Sequence, residues 1–298
     1  MKENIFDIKE ELGRALQKIR KEKGITQQEL SDDYLSRPQV SNIEKAKQST
    51  TFEKIIYFLD KLNVTPEEFI YHIDDDYHAV KDSMLIEISK FASAGDITAL
   101  NRLKNKSQNI YQEYKVPFFL FLTCLSEARI SLIENEGKYD MARKKLAPLK
   151  EYLLSLKNYS YNDLTFIGES VYIFDIETSK FLVDKALTTI NNHYNFYRHR
   201  IIGGAIALNM ALYSLDFPEQ LQYSLDYSLK AIELSTTSTH LSTTLKAKIA
   251  YQIACFKSGN GRYNASIIEE CLRVFKLAEW HSQHTQIIQF LKQHHLNF

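Results

Sequence analysis

The ten residues Ser36 to Lys45, SRPQVSNIEK, combine helix-forming spacing with side chains that can contact base edges and phosphate oxygens. Ser36 and Gln39 form the S-x-x-Q pattern of a capping box, which predicts a helix start. Val40 and Ile43 stand three residues apart and define one apolar stripe. The other side of this helix offers donors and acceptors of the kind that read DNA: Arg37, Gln39, Ser41, Asn42 and Lys45.

A second capping box, Thr26 with Glu29, lies ten residues upstream and predicts a helix over QQELSDDY. Leu30 in this helix can meet the apolar stripe of the helix that follows. Two short helices with a tight connection are typical of a helix-turn-helix.

Three more short helices are predicted around this pair. Residues 8–23 have apolar side chains at helical spacing and end at Gly24, a favoured residue just after a helix. Two further capping boxes, Thr50 with Glu53 and Thr65 with Glu68, predict the fourth and fifth helices. The fourth is expected to bury Phe52, Ile55, Ile56 and Leu59.

The order GITQQELS, LSRPQVSNIE and TFEKIIYFLDKLNVTPEEFI resembles the five-helix domain of phage-repressor type. LSRPQVSNIEK, which lacks the glycine usual between the two motif helices, more narrowly resembles the Rgg/GadR/MutR regulators of Gram-positive bacteria, which respond to peptides. One departure is Ala46, followed by Lys47, where such domains usually have glycine after the recognition helix. Because alanine resists the left-handed cap that glycine allows, the helix is expected to run on or to end differently.

The resemblance implies which residues contact DNA. Gln27, at the start of the second helix, would contact a phosphate, and Gln28 beside it would also contact DNA. The residues facing the major groove would be Arg37, Gln39, Ser41 and Asn42, with Lys45 and Lys47 on the flanking backbone. Arginine favours guanine, and asparagine or glutamine favours adenine. The Gln39 side chain cannot both accept the capping hydrogen bond from Ser36 and make a bidentate contact to a base, so only one of the two roles is expected.

Composition predicts an all-α protein. The 298 residues are 44% hydrophobic and include only nine glycines and five prolines, which favours helices over strands and turns. No apolar run is long enough to span a bilayer and the start lacks a signal-peptide pattern, so a soluble cytoplasmic protein is expected. Three cysteines without C-x-x-C spacing, Cys124, Cys255 and Cys271, are expected to be reduced core residues. One intermolecular disulfide is the alternative.

Charge alone does not predict nucleic-acid binding. The whole chain has a formal charge of zero, and residues 1–70 hold 12 Lys and Arg against 13 Asp and Glu. The positive residues are nevertheless grouped at the end of the first helix (Arg14, Lys18, Arg20, Lys21 and Lys23) and around the recognition helix (Arg37, Lys45, Lys47 and Lys54). Such local positive faces can follow a phosphate backbone.

The rest of the chain carries a repeat of about 40 residues. Gly137-Lys138-Tyr139-Asp140 returns as Gly261-Arg262-Tyr263-Asn264, and equivalent anchors lie between them. The five anchors are Ile97, Tyr139, Phe181, Tyr223 and Tyr263. This period is typical of stacked helical hairpins and predicts about five of them, in a right-handed α-solenoid resembling tetratricopeptide repeats. The tail from Ser282 to Phe298 is expected to form a terminal helix that covers the last pair.

A run of three aspartates, Asp74 to Asp76, marks the predicted linker. The expected organisation is a helix-turn-helix domain at 1–72, a linker at 73–80, and a helical-repeat domain at 81–298 for peptide binding and dimerisation.

The segment YRHRIIGGAIALNMALY places Arg198, Arg200, Asn209 and Tyr213 on or near one central helix of the repeats. The family resemblance implies a short peptide on the concave face, with Asn pairing its backbone and Arg binding a carboxylate. Tyr172, Phe174 and the pair Gly203-Gly204 could shape apolar sub-pockets. The alternative is that these residues only pack helices together.

No metal site, cofactor or catalytic constellation is predicted. His281, His284, His294 and His295 lack zinc-ligand spacing and are expected on the surface. No nucleophile elbow, H-E-x-x-H or Walker loop is present.

Two functional hypotheses follow. The first is a cytoplasmic, homodimeric transcription regulator that binds a DNA operator and is switched by a short hydrophobic peptide, with RNA polymerase as a possible further partner and no membrane contact. The second is an interaction scaffold whose repeats bind a protein partner.

Overall fold

A computed structural model describes residues 9–73, 77–193, 197–259 and 261–298. All regular structure in these ranges is helical, which confirms the predicted all-α class. Seventeen α-helices are described: α1 Lys9–Glu22, α2 Gln27–Leu30, α3 Arg37–Glu44, α4 Phe52–Leu62, α5 Pro66–Ile73, α6 Tyr77–Ser93, α7 Ile97–Tyr114, α8 Pro117–Glu134, α9 Tyr139–Lys145, α10 Ala147–Ser155, α11 Tyr161–Ser170, α12 Ile176–His193, α13 Tyr197–Ser214, α14 Leu221–Thr237, α15 Leu241–Ser258, α16 Ala265–Leu277 and α17 His281–Gln293.

The chain divides into two compact units, residues up to Lys90 and residues from Phe91 onward. The predicted linker at 73–80 includes residues 74–76, which lie outside the described residues, and α6 begins at Tyr77. The predicted domain limits therefore stay predictions.

The first unit contains the five predicted short helices α1–α5 around one apolar core. Leu16 and Ile19 of α1 are buried in this core. Leu30 of α2 lies in the same cluster as Val40 and Ile43 of α3, as the sequence pattern predicts. Burial of such side chains contributes about 1.5–3 kcal/mol each, so this small core holds the two motif helices together.

Helix α2 is shorter than predicted. It ends at Leu30 rather than continuing through Tyr34. The reason is Asp32, whose carboxylate accepts hydrogen bonds from the main-chain N–H groups of Tyr34 and Leu35 at 3.0 Å each. An aspartate that binds the backbone two and three residues ahead stabilises a turn in competition with the helix.

Helix α4 begins one residue later than predicted. Thr51, not Thr50, is its cap, and the Thr51 side chain accepts a hydrogen bond from the Lys54 N–H. Phe52, the first residue of the helix, is 74% exposed, so the prediction of its burial is wrong. The buried side chains of α4 are Phe58, Leu59 and Leu62.

Gly13 brings α1 into direct contact with the end of α3. A Cβ atom on Gly13 would lie 2.6 Å from the carbonyl oxygen of Ile43 and 2.8 Å from that of Glu44. Both atoms are backbone, so no side-chain rotation could relieve this contact. Glycine is thus required here by close approach of two helices.

The recognition helix, α3, ends in a left-handed cap although no glycine follows it. Ala46 has φ of 54°, and its N–H bonds to the Ile43 carbonyl at 3.0 Å. The Lys47 N–H bonds to the Asn42 carbonyl at 2.9 Å, which completes a Schellman motif. The expectation that Ala46 would make the helix run on or end differently is therefore wrong, because these two hydrogen bonds hold alanine in the left-handed region.

We expect Ala46→Gly to raise the free energy of unfolding of this domain by about 1 kcal/mol, since the left-handed region costs a Cβ-bearing residue about that much relative to glycine. Amide hydrogen exchange of residues 9–73 in the full chain measures it. Asn63→Gly is the matched control: Asn63 also caps a helix at positive φ, 51°, but asparagine tolerates this region well. Equal gains in the two variants, or none at Ala46, would contradict the strain argument.

In the part of the second unit that the structure describes, the helices follow one another as five hairpins. The first helices of the hairpins contain or immediately follow the five repeat anchors, as the 40-residue period predicts. In chain order the hairpins are α7 with α8, α9 and α10 with α11, α12 with α13, α14 with α15, and α16 with α17. The two members pack directly on each other in the first, third, fourth and fifth, whereas α9, α10 and α11 of the second each pack on α8. Pro148, at the start of α10, accounts for the broken first helix of the second hairpin, because proline provides no N–H to continue a helix.

The repeated Gly-x-Tyr motif forms a turn before a hairpin. Gly137 and Gly261 have φ of 82° and 71°, a region that glycine adopts without strain. The tail forms α17, which packs on α16. This helix is thus the second member of the fifth hairpin and not an additional cover over a finished pair.

The three cysteines are buried free thiols, as expected for core residues. Burial raises the pKa of Cys124 to about 11, so this thiol is a poor nucleophile. His294 is also buried, contrary to the expectation of a surface position, and its ring packs edge-on against Phe290. Within the described ranges, no three His, Cys, Asp or Glu side chains come together as a metal site would require. Among the described helices, none is both long and apolar enough to cross a bilayer.

Candidate functional site

The recognition helix α3 packs one face on the core and leaves a polar face outside. Val40 is fully buried and Ile43 is 3% exposed. The predicted DNA contacts lie outside this stripe, with Gln28, Arg37, Lys45 and Lys47 exposed and with Gln27, Gln39, Ser41 and Asn42 half-buried. The structure therefore brings all eight residues to the surface of the first unit.

Gln39 uses one end of its side chain to cap its own helix. Its Oε1 atom accepts from the Ser36 main-chain N–H at 3.0 Å and lies 3.2 Å from the Ser36 hydroxyl. The capping role is thus the one Gln39 performs in the chain without DNA. The Nε2 atom of Gln39 takes no part in this cap and can still donate a hydrogen bond to a base.

A buried ion pair fixes the end of α3 to α1. The Arg20 Nε and Nη2 atoms donate to the two carboxylate oxygens of Glu44 at 2.5 and 2.9 Å. The Glu44 side chain is fully buried and that of Arg20 is 9% exposed. The remaining Arg20 nitrogen, Nη1, donates to the Ile25 carbonyl at 2.7 Å. A two-pronged contact of this kind is among the strongest that a carboxylate makes.

Gln27 joins the same network. Its Nε2 atom donates to the Glu44 carboxylate at 2.8 Å, and Gln17 adds a longer contact of 3.5 Å. Burial alone would raise the pKa of Glu44, but the hydrogen bonds from Arg20 and Gln27 outweigh burial and hold this pKa below its usual range. The hydrogen bond that Arg20 donates to Glu44 in turn raises the pKa of Arg20.

The positive cluster at the end of α1 is smaller than its sequence suggests. Arg20 is buried with Glu44, so it is not available to follow a phosphate backbone as expected. Arg14 pairs with Glu10, and Lys18 lies 4.0 Å from Glu22. Lys21 and Lys23 remain exposed.

A shallow depression lies beside the start of α2. Its lining includes Gln27, Gln28 and Arg37, three of the residues that the sequence assigned to DNA contact. Lys21 and Arg20 also line it, and among the described residues no acidic side chain does. The depression therefore has the charge and the donors to hold an anionic oxygen.

In the second unit, two of the predicted peptide contacts bond to the protein's own backbone. The Asn209 amide donates to the Gly168 carbonyl at 3.0 Å. The Tyr213 side chain is buried, and its hydroxyl donates to the Phe174 carbonyl at 2.8 Å. These bonds join α13 to α11 and to the segment after it, which favours a packing role for Tyr213. Asn209 is half-buried and retains acceptor and donor capacity beyond this bond.

The other three predicted peptide contacts are more accessible. Arg198 is exposed, with its guanidinium 4.8 Å from the centre of the Tyr161 ring. Arg200 and Tyr172 are half-buried. Arg129 stacks on the Tyr172 ring at 4.6 Å, a contact that the sequence did not reveal.

Gly203 lies where helices approach closely. A Cβ on Gly203 would lie 2.9 Å from Ile190 Cδ1 and 3.3 Å from Leu234 Cδ1. Gly203 thus lets α13 approach α12 and α14 closely, whereas a Cβ on Gly204 would make only ordinary contacts, at 3.6 Å from Ser235. Phe174 is buried, as the packing alternative for the aromatic residues expects.

Sequence reasoning missed the roles of Gly13 and Glu44. A signal for Glu44 was present, because it follows Val40 by four residues and so falls on the apolar face of α3. A charged residue at such a position needs a buried partner. Gly13 gave a weaker signal, since it is a glycine within a helical pattern that usually has a packing reason.

Comparison with known proteins supports this architecture. A helix-turn-helix family model matches residues 16–69. No curated protein matches the chain by sequence. Solved structures do match: a cysteine-to-serine variant of the SHP pheromone receptor Rgg2 of Streptococcus dysgalactiae has 18% identity and a TM-score of 0.77, over 95% of this chain and 98% of that one.

Two further structures show the same similarity. A protein of Listeria monocytogenes EGD-e has 18% identity and a TM-score of 0.79, over 97% of this chain and 100% of that one. PlcR of Bacillus thuringiensis, solved in complex with the peptide PapR7 and DNA, has 18% identity and a TM-score of 0.65, over 94% of this chain and 99% of that one. Residues 16–69 thus form a helix-turn-helix, and the resemblance to Rgg-type proteins is confirmed in the fold of the whole chain.

Proposed function

We propose that this protein is a sequence-specific DNA-binding transcription regulator that is controlled by a short hydrophobic peptide. The observation that carries the DNA-binding part is the outer face of α3, where Arg37, Ser41 and Asn42 stay accessible while the opposite face is buried. Helix α3 enters the major groove, and Gln27, Gln28, Lys45 and Lys47 contact the flanking phosphates.

The chain binds DNA as a homodimer in the cytoplasm. One short helix reads only a few base pairs, so two half-sites are needed for affinity and specificity. The near-neutral charge of residues 1–70 strengthens this argument, because bulk electrostatics contribute little.

We expect Arg37→Ala and Asn42→Ala each to remove the preference for one base in the half-site while the fold stays intact. The physical reason is the loss of a bidentate side-chain contact, which discriminates between bases by about 1–3 kcal/mol. Binding of the full chain to a set of single-base operator variants measures it. Lys47→Ala is the control, because loss of a phosphate contact weakens all sequences alike. Unchanged base preference in both α3 variants would refute the assignment.

The peptide-binding part of the proposal concerns the second unit. Support comes from the fold shared with the pheromone receptor Rgg2 and with PlcR, which was solved with a peptide. In this chain, Arg200 and Arg198 engage a carboxylate of the peptide and Asn209 pairs with its backbone. Tyr172 adds an aromatic contact to the peptide, and Tyr213 fixes the position of α13.

Peptide titration tests this site. We expect Arg200→Ala and Asn209→Ala each to weaken binding of a hydrophobic peptide about tenfold. The first variant loses a hydrogen bond to the peptide carboxylate, and the second loses one to the peptide backbone. Isothermal titration of the full chain with hydrophobic peptides encoded beside its gene provides the measurement. Ser155→Ala, at an exposed residue of α10, is a control that should bind normally. Undiminished affinity in both site variants would exclude this site.

The scaffold hypothesis remains the alternative for the second unit. Helical repeats offer extended surfaces to proteins as well as to peptides. In the regulator proposal, the DNA-bound protein also contacts RNA polymerase, as a step after operator binding.

A further inference from the structure

The side chain of Gln27 can meet a phosphate in two ways, and only one of them is favourable. Its amide carries a carbonyl oxygen, which a phosphate repels, and an NH₂ group, from which a phosphate oxygen accepts a hydrogen bond. An exposed glutamine rotates freely between the two. In this protein the Gln27 Nε2 atom donates to the Glu44 carboxylate at 2.8 Å, so the amide has one orientation.

We infer that Glu44 is a positioning residue for DNA binding: it holds the Gln27 amide so that the second N–H of Nε2 is available to a DNA phosphate. An ionised carboxylate accepts hydrogen bonds but cannot donate them, so it selects the NH₂ end of the amide and rejects the carbonyl end. This inference rests on the proposed DNA-binding function and assigns a role within it to a residue that itself never touches DNA.

Arg20 makes this arrangement compatible with a phosphate. A lone carboxylate near a DNA backbone would repel it, but the Arg20 guanidinium pairs with both Glu44 oxygens at 2.5 and 2.9 Å. The depression that Gln27 lines is also lined by Lys21 and Arg37, and none of its described lining residues is acidic. The negative charge of Glu44, which fixes Gln27, is thus neutralised by the buried Arg20 side chain.

Arg20 also anchors the backbone that carries Gln27. Its Nη1 atom donates to the Ile25 carbonyl at 2.7 Å, two residues before Gln27. Between them, Thr26 caps α2 with its side chain, and the Glu29 carboxylate accepts from the Thr26 N–H at 2.7 Å. Backbone and side chain of Gln27 are therefore fixed by the same ion pair.

Removal of Glu44 alone cannot test this role, because it leaves Arg20 buried without a partner and destabilises the domain. Replacing both partners with apolar residues of similar volume, Arg20→Met with Glu44→Leu, avoids this, since such exchanges are often neutral for folding. Amide hydrogen exchange of residues 9–73 verifies that the double variant is folded.

The experiment measures how much Gln27→Ala weakens DNA binding in each background. The full chain, with and without the Arg20→Met and Glu44→Leu exchange, is titrated with a duplex selected from a random-sequence library. We expect Gln27→Ala to cost about tenfold in affinity with the ion pair present, as for loss of a hydrogen bond to a charged group. In the exchanged background the cost should fall to about twofold or less, because the amide no longer has a fixed orientation.

Lys47→Ala is the matched control, because Lys47 is an exposed proposed phosphate contact for which no bond to Glu44 is seen. Its cost should be the same in both backgrounds. An equal cost of Gln27→Ala in both backgrounds overturns the positioning role and leaves DNA binding standing. If the folded native chain selects no duplex at all, the proposed function fails, and the inference with it.

Discussion

Gly13→Ala is expected to lower the free energy of unfolding of the helix-turn-helix unit by about 3 kcal/mol, the upper end of the cost of overpacking. Alanine would place its Cβ atom 2.6 and 2.8 Å from two backbone oxygens at the end of α3. Because α3 must move as a whole to relieve this contact, operator binding should fall as well. Amide hydrogen exchange of residues 9–73 in the full chain measures the change in stability.

A second helical glycine supplies the control. A Cβ on Gly168 in α11 would meet only the Ile206 side chain, at 3.4 Å. Gly168→Ala should therefore be neutral or stabilise by up to about 1 kcal/mol, since alanine favours helix over glycine. If Gly13→Ala proved as harmless as Gly168→Ala, the close approach of α1 and α3 would be wrong.

Glu44→Ala should have an effect at least as large, about 3–5 kcal/mol, because it leaves the Arg20 charge buried without its partner. The buried carboxylate accepts from Arg20, Gln27 and Gln17, so several hydrogen bonds are lost together. Against a typical total stability of about 5–15 kcal/mol, this loss would leave the first unit only marginally folded. Glu10→Ala, which removes the exposed pair with Arg14, should produce no measurable change.

The same ion pair predicts how the unit responds to acid. The pKa of Glu44 is lower in the folded unit than its usual value, so the unfolded chain takes up the proton first. The stability from this pair is fully present above the usual glutamate pKa of about 4.3 and is lost as the pH falls through the lower, folded pKa. In the Arg20→Met and Glu44→Leu variant, the acid transition of the first unit should be shallower. A transition of unchanged steepness would contradict this account.

The overall fold was predictable because its signals are local or periodic. Capping boxes mark the starts of α2, α3 and α5 through residues three apart, and the repeat anchors recur every 40 residues or so. Such patterns are independent of how distant helices meet. The boundaries that failed, at Tyr34 and Phe52, lie where an aspartate turn or a neighbouring threonine competed with the expected helix.

The site was less predictable because its geometry depends on contacts between helices. Arg20 and Glu44 are 24 residues apart, and sequence alone placed Arg20 on a positive surface. The left-handed conformation of Ala46 depends likewise on two hydrogen bonds that composition does not reveal. For the peptide site, Tyr213 looked like a groove residue but is buried against the Phe174 carbonyl, 39 positions earlier in the chain.

Selection of duplexes from a random-sequence library with the full native chain would establish whether α3 reads a DNA sequence. We expect enrichment of a pseudo-palindromic site with two half-sites about one helical turn apart. We also expect a change of the selected base in each half-site when the Arg37→Ala variant replaces the native chain. Recovery of duplexes without any shared sequence by the folded native chain would contradict sequence reading by α3.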